Sequence, residues 1–452
     1  MSATNPVRYP DTNAPALMTK RAWWLVVLNV LIPGSAQLLA GNRRLGRFGV
    51  ASTFVLWGLA IIAVLLYFLN RTILLTVLST TIGLWAVTAL LLFYAVLWVV
   101  LTLDTLRLVR FVRVPPRGRA AVAGVAILAL VVAGGGASYG AYLATTANTF
   151  ITDVFVTAPP EPPVDGRYNI LLLGGDAGPD RDGLRPDSIT VVSVDAETGA
   201  ATMIGLPRNL EYFPFVEGSP LAAEYPNGYG WDGCEVDVCL LNSVYTEVEL
   251  ISPEMYPDAA AQGSQPGIEG MRDAVEGITG LTIQYYALID MQGFSDLINA
   301  LGGVTINVET AVPVHTDETF SEVAYYIGPG VVQMDGYTAL WYARSRHDTT
   351  DYDRMARQRQ LQQAILEQFN PANVLAKFQS IAQASSQVVR TDIPQATLGY
   401  FVELASKTRE LPITDVELVP ANGVEPEDPD YAYIRELVAA AVAPAAEDEP
   451  TG

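Results

Sequence analysis

Arginines are concentrated in one short segment of an otherwise acidic stretch of sequence. Residues 148–452 carry a net charge of −31, and five of their 13 arginines lie in the sixteen positions from Arg344 to Arg359. A solvated helix face with salt bridges is the usual explanation of a charge run. Planar guanidinium groups also bind phosphate oxygens through paired hydrogen bonds. The choice between these two explanations depends on which way the arginines face.

Their spacing favours a binding site. Arg344 and Arg346 alternate on what we predict to be a strand end, so both side chains project to one face. A long helix is predicted to follow, from Tyr352 to about Phe369, with one inward-facing stripe. The members of this stripe are Arg354, Gln358, Leu361 and Ile365. Because long polar side chains that enter a buried stripe need anionic partners, the pattern predicts a phosphate ligand.

Aspartates and further arginines lie near predicted strand ends. Asp176 follows the first strand, Arg185 and Asp187 precede the second, and Arg208 follows the third. Ligands of doubly wound sheets bind at the carboxyl ends of strands. Asp176 and Asp187 could together bind Mg²⁺, which prefers oxygen ligands, although two loop aspartates are more often turn formers or caps.

Other chemistries find no support in the sequence. It has two histidines, no Gly-x-Ser-x-Gly motif in the acidic residues 148–452 that would indicate a serine nucleophile, and no Cys/His cluster with the spacing of zinc ligands. Its acidic half would repel nucleic-acid phosphates, so non-specific nucleic-acid binding is not expected.

Strands that alternate with helices predict how these residues are positioned. A short apolar run that ends in Gly174-Gly175 is typical of a strand buried on both faces. We expect an α/β domain with a mixed central sheet and helices on both faces. After this first strand, the predicted strands are 188–194, 201–206, 282–289, 304–308 and 413–419. The predicted helices are 268–279, 291–301, 352–369, 374–389 and 396–407. Residues 210–265 are expected to form a long loop with little helix.

The first third of the chain has the opposite character. Residues 1–147 are very apolar and carry 12 Lys or Arg but only two acids. Segments 46–69, 72–103 and 120–145 are each long enough to cross a bilayer as helices. The shorter apolar stretch 23–40 is interrupted near Pro33 and has basic flanks, which favours a re-entrant or interfacial hairpin that returns to the cytoplasmic side.

Loop charges then predict the orientation of the whole chain. Basic residues before 23–40, after it and between 107 and 119 keep those loops cytoplasmic, so the last span delivers the acidic half to the outside. We expect a cytoplasmic N-terminus at 1–22, a proline-rich linker at 146–167, an extracytoplasmic domain at 168–440 and a disordered acidic tail at 441–452. In an exported domain, Cys234 and Cys239 are expected to form a small-loop disulfide.

Seven short motifs in order give the sequence a recognisable pattern. They run from Leu171-Leu172-Leu173-Gly174-Gly175-Asp176 through Arg185-Pro186-Asp187-Ser188, Leu206-Pro207-Arg208, Leu301-Gly302-Gly303-Val304 and Met334-Asp335-Gly336-Tyr337-Thr338-Ala339-Leu340 to Tyr342-Ala343-Arg344-Ser345-Arg346 and the segment from Asp351 to Gln358. Each motif is weak alone, but the ordered set over about 168–369 resembles the LytR–CpsA–Psr family of cell-envelope proteins. The several membrane segments resemble its actinobacterial type.

The resemblance implies a phosphotransferase that moves a glycopolymer from a polyprenyl-pyrophosphate carrier in the membrane to a peptidoglycan hydroxyl through a phosphodiester. It implies a hydrophobic tunnel for the prenyl chain, Mg²⁺ on Asp176 and Asp187, and Asp351 as a base or as the group that orients an arginine. The implied pyrophosphate contacts are Arg185, Arg208, Arg344, Arg346, Arg354 and Gln358. Fixed guanidinium groups and a metal would stabilise charge on the phosphate oxygens.

The sequence departs from the family pattern in two places. Asn209 stands where the family usually has an aspartate, and Leu241-Asn242-Ser243 is the best counterpart of a Lys-Ile-Asn motif. Both changes remove charge at the edge of the site. Two other functions therefore stay open: a non-catalytic lipid-binding or envelope regulatory protein, and a lipid pyrophosphate hydrolase.

Overall fold

The computed structural model describes residues 7–176, 184–315, 323–345, 349–368 and 389–443, and the chain forms two compact units, Met1–Thr149 and Phe150–Gly452. The first unit is helical. Its helices are α1 (Pro15–Leu31), α2 (Ser35–Ala40), α3 (Arg43–Leu69), α4 (Arg71–Ser79), α5 (Thr81–Val109) and α6 (Pro116–Val154), the last of which continues into the second unit. The segments Arg43–Leu69, Thr81–Arg113 and Pro116–Val154 are long and apolar enough to cross a membrane.

The break predicted inside 23–40 is present between α1 and α2. Gly34 adopts a φ of 97°, and a Cβ there would stand 2.6 Å from the backbone nitrogen of Val50, so the turn requires glycine. How this stretch lies in a bilayer stays a prediction.

Two predicted boundaries of the membrane region are wrong. Segment 72–103 is not one helix, because Thr80 ends α4 and caps α5 by accepting a hydrogen bond from the backbone N–H of Gly83. The helix predicted at 120–145 extends to Val154, so the non-helical part of the linker is shorter than 146–167. The soluble fold begins one residue earlier than predicted, at Arg167.

The second unit is built on a mixed sheet, as predicted, and this sheet has six strands. Its strands are β1 (Arg167–Asp176), β2 (Arg185–Asp195), β3 (Ala201–Leu206), β4 (Tyr285–Asp290), β9 (Val389–Thr391) and β10 (Thr414–Glu417). Their order is β10-β3-β2-β1-β4-β9. β1 pairs antiparallel with β2 and parallel with β4, which makes the sheet mixed.

Helices cover both faces of this sheet. The remaining helices are α7 (Pro220–Glu224), α8 (Ser243–Leu250), α9 (Pro266–Thr279), α10 (Met291–Leu301), α11 (Gly336–Arg344), α12 (Asp351–Gln368), α13 (Leu398–Thr408) and α14 (Tyr431–Val442). Leu171 and Leu173 of β1 join a core with residues of α8, α9 and α14, whereas Tyr168 and Ile170 pack with residues of α13. This alternation confirms the prediction that β1 is buried on both faces.

Two short hairpin-like sheets form a separate cluster. β5 (Val304–Val308) pairs with β8 (Gly330–Met334), and β6 (Val312–His315) pairs with β7 (Val323–Ile327). Buried residues of these sheets pack with α10, α11 and α12. This second core holds α11 and α12 beside the main sheet.

Several predictions about the C-terminal half need correction. The helix predicted at 374–389 falls on residues outside the described ones, except that Val389 begins a strand. α14 runs to Val442, beyond the predicted domain end at 440, and residues 444–452 of the predicted tail are outside the described residues. Sequence periodicity also missed β6 to β9, α8 and α14.

Candidate functional site

Asp187 is placed by an irregularity in the sheet. Gly174 pairs with Ser188 and Gly175 with Pro186, so Asp187 is the extra residue of a β-bulge in β2. A bulge bends its strand and redirects a side chain out of the regular alternation. Asp187 is therefore set apart from the core-facing and solvent-facing rows of β2.

Two arginines converge on Asp187. The Arg208 Nη1 atom lies 2.6 Å from Asp187 Oδ1, and Arg354 Nη1 lies 3.8 Å from Asp187 Oδ2. Asp351 joins them, with its Oδ2 3.0 Å from Arg354 Nη2 and 3.7 Å from Arg208 Nε. These four residues, here called the site cluster, come from β2, the loop after β3 and α12.

Burial makes the site cluster unusual. Arg354 is only 2% exposed, while the side chains of Arg208, Asp187 and Asp351 are between 22% and 27% exposed. Removing a charge from water is costly unless it is paired, and Arg354 also donates a hydrogen bond to the Asp187 carbonyl at 3.2 Å. The cluster thus fixes one guanidinium firmly and leaves another, Arg208, partly accessible.

An apolar cavity of about 330 Å³ adjoins this cluster. Asp187 and Gln358 line it together with the ends of β1 and β4, and helices α10, α11 and α12 enclose it. Most of its wall is aliphatic or aromatic, from residues that include Leu172, Ala287, Phe294, Leu297, Leu340 and Ile365. Because Asp187 belongs to both the cavity and the cluster, a ligand with an apolar chain and an anionic head could occupy both.

The inward stripe predicted for α12 is confirmed. Arg354 and Leu361 are each 2% exposed, and Gln358, Leu361 and Ile365 line the cavity. Gln358 donates from Nε2 to the Ala343 carbonyl at 3.2 Å, which ties α12 to the end of α11.

The strand predicted at Arg344 is wrong. Arg344 is the last residue of helix α11, which begins after Asp335 accepts a hydrogen bond from the Thr338 backbone N–H. Arg344 is exposed and follows Ala343, a residue of the cavity wall. A helix end therefore presents this arginine beside the cavity, where we had expected a strand end.

Two other arginines of the segment from Arg344 to Arg359 have structural partners. Arg357 is buried, and it donates to the carbonyls of Tyr342, at 2.9 Å, and Ser345. Burial lowers its pKa. Arg359 pairs with Asp415 and Glu417 of β10. The inward stripe predicted for α12 included Arg354 and neither of these two arginines, and their structural partners agree with that separation.

Three predicted site residues are placed less completely. Arg346 lies outside the described residues. Asp176 ends β1, where its backbone pairs with that of Arg185, and its side chain is likewise outside what the structure describes. Arg185 is exposed at the start of β2, two residues before Asp187. The sheet thus brings the backbones of Asp176, Arg185 and Asp187 to one edge.

The residues at this edge fit a divalent cation in donor chemistry. Asp187 offers a carboxylate here, next to the backbone of Asp176 at the end of β1, and carboxylate oxygens are the ligands that Mg²⁺ prefers. Among the described residues no group of three His, Cys, Asp or Glu side chains could hold a metal. A Mg²⁺ ion held by two aspartates would therefore take its remaining ligands from substrate or water.

The two departures from the family pattern lie beside Arg208. Asn209 Oδ1 is buried and accepts no hydrogen bond from the described part of the chain. Asn242 is 5% exposed, and its backbone N–H donates to the Arg208 carbonyl at 3.1 Å. Leu241, the residue before Asn242, is fully buried.

The predicted disulfide is present in the same region. Cys234 and Cys239 are bonded to each other and close a loop between α7 and α8. The loop is more ordered than predicted, because Tyr225 and Tyr229 both donate hydrogen bonds to the buried carboxylate of Glu247 in α8. Desolvation and Glu247 raise the pKa of both hydroxyls, which therefore stay protonated at neutral pH.

Comparisons with known proteins match the chain to one family. The model of the LytR_cpsA_psr family matches residues 145–435. The polyisoprenyl-teichoic acid–peptidoglycan teichoic acid transferase TagU of Enterococcus faecalis is 30% identical over 159 residues, which are 33% of this chain and 50% of that protein. The cell wall biosynthesis protein LcpA of Corynebacterium glutamicum is 28% identical over 265 residues, 53% of this chain and 48% of that protein.

A third relative carries a different kind of name. The biofilm regulatory protein A of Streptococcus mutans is 27% identical over 232 residues, half of each chain. The chain thus spans about half the length of these curated relatives. Among solved structures, that of Bacillus subtilis TagV has a TM-score of 0.43 and 21% identity, over 62% of this chain and 98% of that one.

Proposed function

The chain belongs to the LytR_cpsA_psr family, and we propose that it transfers a glycopolymer from a polyprenyl-pyrophosphate carrier to a peptidoglycan hydroxyl, forming a phosphodiester. The observation that carries this proposal is the shared position of Asp187. This residue binds Arg208 of the site cluster and also lines the apolar cavity. A lipid pyrophosphate has the matching chemistry, an apolar chain joined to an anionic head.

The relatives support the same class of reaction. TagU is named as a transferase of teichoic acid from a polyisoprenyl carrier to peptidoglycan, and LcpA as a cell wall biosynthesis protein. Transfer to peptidoglycan would make the chain a phosphotransferase. Its partners would be the lipid-linked glycan, the peptidoglycan acceptor and the membrane lipid that surrounds the carrier.

In the proposed reaction, an acceptor hydroxyl oxygen forms a bond to the phosphorus that carries the glycan. The bond from this phosphorus to the bridging oxygen of the pyrophosphate breaks, and polyprenyl phosphate leaves. Asp351 accepts the hydroxyl proton or, if it acts only by orienting, holds Arg354 in place through their 3.0 Å ion pair.

Arginines stabilise the charge that this displacement creates. Arg354 is fixed by burial, Arg208 is partly accessible, and Arg344 is exposed at the end of α11. Arg185 and Arg346 complete the proposed set of pyrophosphate contacts, with Gln358 on the cavity side. Preorganised positive groups stabilise charge on non-bridging phosphate oxygens without rearranging during the reaction. Mg²⁺ held by Asp176 and Asp187 would add neutralising charge at the same edge of the sheet.

We place this chemistry at the outer face of the cytoplasmic membrane. Three apolar helices could anchor the chain as a multi-pass protein. Loops rich in Lys and Arg favour the cytoplasmic side of the membrane, and this preference sets the predicted orientation of the helices. The disulfide fits an oxidising compartment. A membrane anchor would keep the cavity within reach of its lipid substrate.

The test is transfer by the purified full-length chain in detergent. A labelled polyprenyl-pyrophosphate-linked glycan, Mg²⁺ and peptidoglycan are supplied, and polymer attached to peptidoglycan is counted. Arg344→Ala and Arg346→Ala should each abolish transfer while the fold is retained. Arg435→Ala is the matched control, because Arg435 is exposed on α14 and binds only the Gly277 carbonyl in the described structure. Normal transfer by an Arg344/Arg346 double variant that is correctly folded would contradict the proposal.

The same assay separates two other functions. Retention of the lipid without turnover would indicate a lipid-binding regulatory protein, and the Streptococcus relative is named as a biofilm regulatory protein. Release of glycan phosphate into water, without attachment to peptidoglycan, would indicate a pyrophosphate hydrolase.

A further inference from the structure

An exposed aromatic pair lies on the loop that the disulfide closes. Trp231 is 64% exposed, and its ring centroid is 4.4 Å from that of Tyr212. One face of the indole therefore rests on Tyr212 and the rest is open to solvent. Exposure of so large an apolar ring is unfavourable unless something covers it.

The backbone under this pair is strained. Tyr212 has a φ of 55°, a left-handed conformation that is rare and unfavourable for a bulky side chain. Gly230, with a φ of 112°, makes room for the ring: a Cβ there would stand 3.2 Å from Tyr212 Cδ1. Strain of this kind persists where the surrounding structure enforces it, and it is common at ligand-binding positions.

The surrounding structure is firm at both sides of the pair. The Tyr229 backbone N–H donates to the Phe213 carbonyl at 2.9 Å, and the Tyr229 hydroxyl donates to Glu247 at 2.5 Å. The Cys234–Cys239 bond closes the segment that follows Trp231. The pair is a preorganised surface, so little conformational entropy would be lost when a ligand binds it.

Polar groups edge the aromatic surface. Asp232 is exposed and directly follows Trp231 in the chain, and the exposed Asn227 is held beside Asp232, with its Nδ2 3.0 Å from Asp232 Oδ2. An open aromatic face beside an amide and a carboxylate matches a pyranose ring, which has apolar C–H faces and a rim of hydroxyl groups that both donate and accept hydrogen bonds. A purely apolar partner would exclude water from this amide and carboxylate, whose mutual hydrogen bond does not use all of their hydrogen-bonding capacity.

The loop is also tied to the site cluster. Tyr212 follows Arg208 by four residues, a span of at most about 14 Å of extended chain. Behind the disulfide, the backbone N–H groups of Leu241 and Asn242 donate to the carbonyls of Leu210 and Arg208, each at 3.1 Å. The aromatic surface therefore stands within a few sugar lengths of a residue that is proposed to bind pyrophosphate.

We infer that Tyr212, Trp231, Asn227 and Asp232 form a carbohydrate subsite that binds a pyranose ring of a glycan taking part in the reaction. The inference rests on the proposed function for the source of the glycan. That source is either the lipid-linked donor or the peptidoglycan acceptor, and the shared chemistry is the sugar ring.

The test uses the full-length chain in detergent and has two arms. The first measures sedimentation with purified peptidoglycan stripped of attached polymers, without any lipid substrate. The second measures KM for the lipid-linked glycan in the transfer assay. Loss of the indole in Trp231→Ala should weaken glycan binding about tenfold. The effect should appear in sedimentation if the subsite binds the peptidoglycan acceptor, and in KM if it binds the lipid-linked donor. Trp231→Phe should retain part of the binding, because a smaller aromatic face remains.

Two further variants keep the test decisive. Tyr212→Asn removes the ring but tolerates the left-handed backbone, so binding should fall without a loss of thermal stability. Tyr326→Ala removes an aromatic side chain of β7 that is 58% exposed, and it should change neither arm. Unchanged glycan binding and unchanged KM in both Trp231→Ala and Tyr212→Asn would overturn the subsite. Because the sedimentation arm needs no turnover, a chain that binds glycan but transfers nothing would contradict only the proposed function.

Discussion

Two arginine networks lie at opposite ends of β4 and differ in how accessible their arginines are. At the strand's start, Arg272 is 14% exposed, donates to the carbonyls of Ile283 and Gln284 at 2.8 and 3.1 Å, and pairs with Glu269 and Asp392 at 3.3 and 2.5 Å. At the strand's end lies the cavity beside the site cluster, where Arg208 is 26% exposed. A largely buried arginine that is paired with two carboxylates stabilises a fold, whereas a more accessible one beside a cavity can bind a ligand.

Electrostatics at the Arg272 network agree with a structural role. Burial opposes the charge of Arg272, but Glu269 and Asp392 outweigh it and hold the arginine's pKa above its usual value. Burial raises the pKa of Asp392, which Arg272 partly offsets. Asp392 also accepts a hydrogen bond from the Tyr286 backbone N–H at 2.8 Å, which fixes the first residues of β4.

The largest effect should follow from breaking the Arg272 network. Arg272→Met removes the guanidinium and leaves buried carboxylates unpaired, so the free energy of unfolding should fall by about 3–5 kcal/mol. Proteolysis of the full-length chain in increasing urea, followed on fragments of the acidic unit, measures this loss. A variant as stable as the native chain would show that Arg272 is not needed by the fold.

The accessible arginine should behave in the opposite way. Arg208→Ala should lower the transfer rate by roughly 10²–10³-fold, because one preorganised cation is lost from the transition state. Its side chain is 26% exposed, so the free energy of unfolding should change by no more than about 1 kcal/mol. A transfer assay measures the change in rate, and the same urea series measures the change in the free energy of unfolding. Loss of stability comparable to that of Arg272→Met would erase the difference between the two networks.

This contrast could be predicted from the sequence only in part. The strands β1 to β4, the helices α9, α10 and α12, and the inward positions of Arg354 and Gln358 follow from short-range patterns of apolar residues. The site cluster itself depends on the bulge at Asp187, which appears only when β2 is paired with β1. Long-range pairing of this kind leaves no local signal.

Arg344 shows a different failure of sequence reasoning. A short apolar run such as Trp341–Ala343 fits either a helix or a strand, and its length does not decide between them. Asp335 supplied the missing signal, since an aspartate three residues before Thr338 is a typical helix N-cap. The sequence did not predict the Arg272 network either. Its partners Glu269 and Asp392 are distant from each other in sequence and meet only through β4 and β9.

A smaller effect should appear in how the free energy of unfolding depends on pH, through Asp273, the residue next to Arg272. Burial raises the pKa of Asp273 to about 6, and the Tyr256 hydroxyl donates a hydrogen bond to it. Because the folded pKa exceeds the unfolded value near 3.9, this carboxyl contributes its stability fully below about pH 4 and loses it as the pH rises to about 6. Asp273→Asn, which can still accept the tyrosine hydrogen bond, should be more stable than the native chain above pH 6 by about 3 kcal/mol. Urea series at pH 4, 5 and 7 measure this difference. If the free energies of unfolding of the two chains change with pH in the same way, Asp273 does not contribute to the pH dependence of stability.

The smallest predicted effect concerns the cavity at the other end of the same strand. Ala287 is the β4 residue that pairs with Leu172 of β1, and both line the cavity. Ala287→Phe should fill part of its 330 Å³ and raise the KM for a long-chain polyprenyl substrate about tenfold, or about 1.4 kcal/mol. A substrate with a short prenyl chain serves as the internal control, since its head still reaches Arg208 and its chain needs less of the cavity. Equal KM changes for long and short chains would mean that the larger side chain disturbs the pyrophosphate contacts themselves, and that the cavity does not hold the lipid.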